Sequence, residues 1–347
     1  MADEDDKNVD RNASFSELGW EFQTNAATVL FIQRIEDASS VRVEGAHEDI
    51  EISLNDGTVV YAQAKARTGN EPGKGSTDRL DGALKTLADD IKQGNYRELI
   101  FVTNDDYPFG KSHDVSDLHG GGTLRFDELP DGVQNYIREK GAAHGIGDDA
   151  YPVMAVSVIG FYGDDRDTRH KHIRAAIQDL LSRLDLGRRG DVNDGLLRDQ
   201  WGTMMQENAG TLDTDITLSK EDFVWPVIVM LCKVDTDDKD FERFDEEDVQ
   251  DAVREYGSII NYHTQKFEFV TKVSTDFDRY LADNSGGRKE VRTRYIDERW
   301  GDYVDILGLG EIGDGETREI VAKLIMRKVL RRKDVIKRVK DGVNLGN

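Results

Sequence analysis

Apolar and polar residues alternate in the segment around residue 50, and this alternation predicts a β-hairpin. In Asp49-Ile50-Glu51-Ile52 the two carboxylates face one side of a strand and the two isoleucines face the other. Asn55-Asp56-Gly57 supplies the turn. The returning strand, Thr58 to Ala64, is rich in Val and Tyr. Gln63 lies near the end of this strand and Lys65 directly follows it. The two residues are two positions apart and therefore share a face.

Helical periodicity precedes and follows this hairpin. Ser14 or Ser16 is the expected cap of a first helix that runs to about Ile35. Its apolar positions recur at helical spacing and are Leu18, Phe22, Ala26, Val29 and Leu30. An amphipathic helix over residues 79–92, ended by Gly94, precedes a buried strand over residues 99–102. A helix over residues 129–140 and a strand over residues 153–161 follow. This order predicts an α/β domain with a mixed sheet flanked by helices.

From about Arg169 the pattern becomes mainly helical. The apolar run over residues 223–234 fits a core helix or a strand, and residues 245–282 predict one long amphipathic helix. The most basic segment, residues 319–340, predicts a docking helix with a cationic edge, or else a solvated charged helix. We therefore expect a disordered N-terminus (1–13), a first domain (14–210) and a helical assembly or regulatory domain (211–347).

Composition limits the class of protein. The chain has 347 residues, a net charge of −23 and one cysteine, so it forms no internal disulfide and no cysteine-based zinc site. No apolar run approaches the roughly 18 residues that span a bilayer, and the acidic start does not resemble a signal peptide. We expect a cytoplasmic protein without membrane partners.

The hairpin carries the candidate chemistry. A carboxylate on one strand and Gln-x-Lys on the next are suited to holding a divalent metal beside a phosphodiester. Asp49 and Gln63 offer hard oxygen ligands for Mg²⁺ or Mn²⁺, and such a metal lowers the pKa of bound water and stabilises charge on phosphate. The ammonium of Lys65 would orient the water or neutralise the phosphate. The alternative for each residue alone is a solvated hairpin face.

Three sequence elements together carry a family resemblance: Gly19-Trp20-Glu21-Phe22-Gln23 on a helix, Asp49 opening a strand, and Gln63-Ala64-Lys65. They resemble the PD-(D/E)xK restriction-endonuclease-like superfamily in its (D)…QxK variant. More narrowly, they resemble the double-stranded-DNA nuclease domain that serves as an effector in prokaryotic antiphage systems. The resemblance covers about the first 200 residues.

The resemblance implies a restriction-endonuclease-like mixed sheet and a metal-dependent DNA endonuclease. Gln23 would support the site as part of the family's Phe-Gln signature. Gln63 replaces the second acidic ligand of the superfamily, and Glu51 or a residue of the first helix, such as Glu21, would complete the ligand set. Related nucleases are held inactive until oligomerisation or a partner releases them. A homo-oligomer or a HerA-type ATPase partner is therefore expected.

DNA binding must be reconciled with the acidic composition, because affinity for duplex comes mainly from cations that neutralise phosphates. Either a local basic path exists on an acidic surface, or the acidity reflects a host with a high-salt cytoplasm. Candidate phosphate contacts are Arg67, Lys74 and Arg79, around a glycine-rich loop. The loop is no Walker motif, because three residues instead of four separate Gly69 from Gly73.

Two other classes of function remain open. One is a noncatalytic assembly protein that keeps a nuclease-like fold, and the presence of Asp49, Gln63 and Lys65 together argues against it. The other is a small-molecule enzyme, which the absence of a nucleotide loop or a nucleophile motif in the sequence disfavours.

Overall fold

A computed structural model describes residues 13–67, 69, 71–161, 169–184, 194–231, 246–264, 266–310, 313–331 and 333–345. The chain divides into two compact units. The first comprises residues 1–181 and 194–220, and the second comprises residues 182–193 and 221–347. Within the described ranges, every helix is too short or too polar to cross a membrane. Residues 1–12, expected to be disordered, lie outside the described part of the chain.

The first unit is built on a seven-stranded mixed sheet in the order β5-β6-β4-β3-β2-β1-β7. The strands are β1 Ala38–Val43, β2 Ile50–Leu54, β3 Val59–Lys65, β4 Tyr96–Thr103, β5 Gly122–Arg125, β6 Met154–Val158 and β7 Leu218–Ser219. Strands β3, β4 and β6 are parallel, and the remaining pairs are antiparallel. The predicted α/β class with a mixed sheet is confirmed.

One face of the sheet is covered by a helix that is buried on most of its surface. The α-helices in the described residues of this unit are α1 Ala13–Gln33, α2 Ser76–Gln93, α3 Asp131–Ala143, α4 Lys171–Arg183 and α5 Asp194–Ala209. Helix α1 packs against β1, β2 and β3 and also against α5, which explains why Ala27, Phe31 and Ile32 are as buried as the predicted core positions. The helix already includes Ala13, so Ser14 and Ser16 lie inside it and the predicted cap is wrong.

The opposite face is covered by α2 and α3. Its core joins Tyr61 of β3 and Phe101 of β4 to the apolar stripes of both helices, including Leu84 and Ile137. The residues that alternate with these along β3 and β4, such as Val60 and Ile100, are also fully buried. Both faces are therefore closed in the middle of β3 and in the middle and late parts of β4, whereas Glu51 and Ser53 of β2 stay half-exposed.

The second unit is helical in its described residues, which confirms that a helical region follows the sheet. Its helices are α6 Lys220–Leu231, α7 Glu246–Thr264, α8 Phe267–Asp283, α9 Arg288–Arg299, α10 Gly315–Arg331 and α11 Lys333–Gly342. The apolar run that begins at Phe223 is helical as far as Leu231, and the rest of it lies outside the described residues. The single helix predicted over 245–282 is wrong, because α7 ends at Thr264 and a second helix begins at Phe267.

Helix α10 contains the predicted docking segment, and the structure gives it a different role. Its apolar residues pack within the unit against α7, α8 and α9. Val321, Ile325 and Met326 are completely buried. Even Lys323 is 5% exposed and forms a 2.8 Å ion pair with Asp297. The apolar positions of α10 therefore pack into the core of the second unit and are not available to a partner, and docking through the cationic edge of the helix stays a prediction.

We expect Ile325→Ala to destabilise the second unit by about 2–5 kcal/mol, because the side chain leaves a cavity in a closed core. Urea unfolding with probes in each unit measures this. Lys328→Ala, at a partly exposed position of the same helix, is the matched control. Unchanged stability of Ile325→Ala, with loss of self-assembly, would restore the docking role.

Candidate active site

The β2–β3 pairing brings Asp49 and Gln63 together at one edge of the sheet. Ile50 stands opposite Ala62 in the antiparallel register, so the residue before Ile50 faces Gln63. Asp49 Oδ2 accepts hydrogen bonds from Gln63 Nε2 and from the backbone nitrogen of Ala64, the latter at 3.0 Å. Lys65 Nζ lies 4.0 Å from the same oxygen. The structure thus joins the three residues predicted to carry the chemistry.

Gln23, on helix α1, supports the position of Asp49. Its side chain is 7% exposed, and its Nε2 donates to the backbone oxygen of Asp49 at 3.0 Å. The same oxygen accepts a 2.8 Å hydrogen bond from the Glu44 backbone nitrogen. Because Gln23 comes from α1, this bond fixes the start of β2 to the helix that covers the sheet. Gln23 positions Asp49 through its backbone.

The other two carboxylates proposed to support the site have different partners. Glu51 Oε1 accepts from the backbone nitrogens of His47 and Glu48, at 2.8 and 3.1 Å. It therefore holds the turn that leads into Asp49. A side chain at position 45 would meet the Glu51 carboxylate and would displace it from the His47 and Glu48 nitrogens.

Glu21 takes part in a charged cluster between α1 and the start of α4. Its two oxygens pair with Arg169 Nη1 at 2.8 Å and with His170 Nε2 at 3.3 Å. His170 Nδ1 in turn lies 3.1 Å from the Asn25 amide oxygen. These contacts give Glu21 a role in holding α1 to the segment before α4, on the same helix as Gln23.

Sequence reasoning missed a pair of buried carboxyl groups directly behind Asp49. Glu48 and Asp90 are 4% and 1% exposed. Burial, followed by the mutual interaction of the two groups, raises the pKa of Glu48 well above its usual range, and burial also raises the pKa of Asp90. Two carboxylates cannot both stay charged in such a place, so the pair retains a proton. The signal in the sequence was Asp90 itself, which falls three residues after Leu87 on the apolar face of α2.

The three predicted phosphate contacts lie at the carboxyl ends of the parallel strands. Asp105, fully buried after β4, accepts hydrogen bonds from the Gly73 backbone nitrogen at 2.9 Å, from Ser76 Oγ at 3.2 Å and from Arg79 Nη2. This carboxylate anchors the glycine-rich loop and the first turn of α2. Lys74, in the loop, is exposed and lies 3.5 Å from Glu71. Asp105 is a third carboxyl group, after Glu48 and Asp90, that the sequence pattern did not predict.

Arg67 follows β3 closely, and its backbone is fixed. Its nitrogen donates to Asn104 Oδ1, and Asn104 Nδ2 donates back to the Arg67 oxygen at 3.2 Å. Burial lowers the pKa of the Arg79 guanidinium, the charge of Asp105 opposes this, and the charge of Arg67 lowers the pKa further. The edge of the sheet therefore presents a carboxylate and an amide beside a group of cations.

The oxygen donors at this edge suit a hard divalent cation. Asp49 Oδ1 makes no hydrogen bond to the described residues, and the side chain is 23% exposed. Burial raises the pKa of Asp49, and Lys65 and the Ala64 hydrogen bond oppose the rise. No group of three or more His, Cys, Asp or Glu side chains that could hold a metal occurs in the described ranges. Two protein oxygens with water and phosphate completing the shell is a common arrangement for Mg²⁺.

No family model matches this chain, and neither the curated proteins nor the solved structures include a match to it. Any functional assignment therefore depends on the geometry of the site and on the motif resemblance.

The buried acid pair predicts an unusual dependence of stability on pH. The ordinary pKa values of Asp90 and Glu48 are 3.8 and 4.5, and both are raised in the folded protein. The unfolded chain therefore loses these protons first as the pH rises, and the free energy of unfolding falls above about pH 4.5 until the folded pair also ionises.

We expect Glu48→Gln to remove most of this fall, because an amide can donate to Asp90 without ionising. The slope between pH 5 and 8 should flatten by up to about 1.4 kcal/mol per pH unit. Urea unfolding across this range measures it, and Asp89→Asn, on the exposed side of α2, is the control. An unchanged slope in Glu48→Gln would show that the pair does not hold a proton.

Proposed function

We propose that the protein is a metal-dependent endonuclease that hydrolyses phosphodiester bonds of double-stranded DNA. The observation that carries the proposal is the convergence of Asp49, Gln63 and Lys65 at one point, with Gln23 behind them. Each residue comes from the motif that resembles the (D)…QxK nucleases. A solvated hairpin face would not require the carboxylate to be held by an amide, a backbone N–H and an ammonium at once.

Each residue has a distinct task in this proposal. Asp49 and the Gln63 amide oxygen would hold Mg²⁺ or Mn²⁺, which supplies a water of lowered pKa and stabilises charge on the phosphate. In the structure the amide nitrogen of Gln63 faces Asp49, so the amide must turn over to present its oxygen. Lys65 then neutralises charge that develops on the phosphate, and Gln23 keeps Asp49 in register.

Local charge supports DNA binding despite the net charge of −23. The segment from Lys65 to Arg79 holds four cations and two anions, and its cations lie at the same edge as Asp49. Phosphate contacts from such a local group can act where the outer surface is acidic, with affinity that depends on salt. The high-salt alternative for the acidic composition remains compatible with this arrangement.

The biological setting is proposed from the resemblance alone. The protein would act as the effector of an antiphage system in the cytoplasm, controlled by assembly with itself or with a HerA-type ATPase. The second unit would serve that control. A noncatalytic assembly protein is the competing function, and loss of cleavage on substitution of Asp49 separates the two.

Asp49→Asn should reduce cleavage of plasmid DNA at least about 10²-fold in Mg²⁺ or Mn²⁺, because the isosteric amide keeps the shape and removes the charged ligand. EDTA should have the same effect on the unsubstituted protein. Asp56→Asn, at the exposed turn of the same hairpin, is the control. Full cleavage by a folded Asp49→Asn protein would eliminate the proposed centre.

Lys65→Ala separates binding from chemistry. An ammonium that stabilises transition-state charge is worth about 10²–10³ in rate, whereas one phosphate contact among many contributes modestly to binding. Single-turnover cleavage and gel-shift affinity should be measured on one preparation at matched salt, with Lys92→Ala on α2 as control. A parallel collapse of affinity and rate would make Lys65 a binding residue.

A further inference from the structure

The second unit contains a polar cleft that no step of the proposed nuclease uses. The cleft has a volume of about 580 Å³, which falls within the range of about 300–1,000 Å³ that small-molecule sites occupy. Its walls come mainly from α8, from α9 and from the 3₁₀ turn Trp300–Tyr303 that follows α9. The cleft is therefore large enough to hold a small molecule.

Two tyrosine hydroxyl groups and a carboxylate form the floor of the cleft. Tyr295 and Tyr303 line it and are each 2% exposed. Tyr303 Oη donates to Asp276 Oδ2 at 2.9 Å, so its proton is already used and its oxygen must accept from Tyr295 Oη, which lies 2.6 Å away. Lys272 Nζ donates to the same Asp276 oxygen at 2.8 Å. The floor is therefore a directed chain of hydrogen bonds that ends at the Asp276 carboxylate.

Contacts between α8 and α9 hold the walls of the cleft in place. Tyr280 Oη of α8 donates to Glu298 Oε2 of α9 at 2.7 Å. The Tyr280 ring centroid lies 5.2 Å from that of Tyr295, and Tyr295 also packs against Phe277, with 5.3 Å between the ring centroids. A site whose walls are already fixed loses little conformational entropy when a ligand binds.

Charged side chains of both signs line the cleft in equal number. They are Lys272, Arg279, Arg299, Asp276, Asp283 and Asp302. Arg279 Nη1 lies 3.5 Å from Asp276 Oδ1, and Arg299 Nη1 lies 3.3 Å from Asp302 Oδ2. An anion would meet the three carboxylates and a cation would meet the three cations, so neither gains a favourable net charge. An apolar ligand would take the same groups out of water without replacing their hydrogen bonds. The lining therefore suits a ligand that is neutral and polar.

Both donors and acceptors of the lining remain available to a ligand. Asp283 has no hydrogen-bond or ion-pair partner among the described residues, and it is the last residue of α8, where the helix dipole disfavours a carboxylate. Asn284 Nδ2 donates to the Tyr280 backbone oxygen at 2.8 Å, which leaves its Oδ1 as an acceptor. Arg279 and Arg299 are exposed and each contacts its carboxylate through one nitrogen. Hydroxyl groups donate and accept, so a ligand with several of them can use both kinds of group.

We propose that this cleft binds a neutral polyhydroxylated small molecule, a sugar or a polyol. Asp283 and the Asn284 amide oxygen accept hydrogen bonds from hydroxyl groups of the ligand, and Arg279 and Arg299 donate to others. The inference uses residues of the second unit alone and does not depend on the proposed nuclease function. It gives the second unit a ligand of its own.

The test compares neutral molecules with charged relatives of the same ring. The neutral probes are glucose, galactose, mannose and myo-inositol, the anionic probes are their monophosphates, and glucosamine is the cationic probe. Binding to the full chain is followed by saturation-transfer difference NMR in EDTA, so that no bound metal takes part.

At least one neutral probe should bind with a Kd of about 1 mM or tighter. Its monophosphate, and glucosamine, should bind at least about tenfold more weakly, because each brings a charge that the lining does not match. Raising the salt concentration from about 0.05 to about 0.5 M should change the Kd of the neutral probe by less than about twofold, since screening acts on net charge.

Asp283→Ala locates the binding in this cleft, with Asp305→Ala as the matched control, because Asp305 is exposed and lies outside the cleft. Removing the Asp283 carboxylate should weaken binding of the neutral probe about tenfold. It should also strengthen binding of the monophosphate, because the cations of the lining then outnumber the anions. Asp305→Ala should bind both probes as the unsubstituted protein does. The unfolding midpoint of Asp283→Ala in urea should be unchanged or higher, since the carboxylate opposes the helix dipole.

Three results would overturn the inference. The first is the absence of saturable binding by every neutral probe, and the second is tighter binding of a monophosphate or of glucosamine than of the neutral molecules. The third is equal affinity of Asp283→Ala and Asp305→Ala for the best neutral probe. None of these results bears on DNA cleavage, which depends on Asp49 and a metal, so this inference and the proposed function can fail separately.

Discussion

The register between β2 and β3 is the constraint on which the candidate site depends. It places Asp49 against Gln63 and lets the Ala64 backbone nitrogen donate to the same carboxylate oxygen. Side chains alternate along a strand, so a slip of one residue would turn Gln63 and Lys65 to the opposite face. The buried isoleucines of β2 oppose that slip, because it would exchange them with charged neighbours. The register that buries the isoleucines is therefore the same register that brings Asp49 next to Gln63.

The edge of the sheet carries several groups that work against stability. Glu48 and Asp90 are both buried, next to Asp49 in the chain and on α2, and two nitrogens of Arg67 are buried without a hydrogen-bond partner among the described residues. Interiors normally avoid such groups, and they concentrate where a ligand or a reaction needs them. Glu48 directly precedes Asp49 in the chain, and one residue separates Arg67 from Lys65, so these groups flank the candidate site in sequence.

The sequence allowed the hairpin and its candidate residues to be predicted because these signals are local. Alternation and turn chemistry define β2 and β3, and two-residue spacing puts Gln63 and Lys65 on one face. Asp105 was missed because its partners come from a loop some thirty residues earlier in the chain. The two-residue strand β7, far from β1 in sequence, was missed for the same reason. Contacts between residues that are far apart in the chain produce no periodic pattern in the sequence.

Helix α10 shows the opposite error. Its basic residues, Arg327 among them, suggested a cationic edge, yet Arg327 is buried, and so is Lys323, which Asp297 of α9 neutralises. A periodic pattern cannot distinguish a cation that faces water from one that meets a carboxylate on another helix. The same ambiguity applies to Arg79, whose partner Asp105 makes it part of the fold before it meets any phosphate.

The central claim is that Asp49 is the anionic ligand of a metal site, and direct metal binding tests it without reference to any substrate. Titration of Mn²⁺ followed by electron paramagnetic resonance counts bound and free ions. We expect the unsubstituted protein to bind Mn²⁺ with an affinity that Asp49→Asn lowers at least tenfold, while Asp56→Asn binds normally. Equal Mn²⁺ binding by Asp49→Asn and the unsubstituted protein would contradict the account.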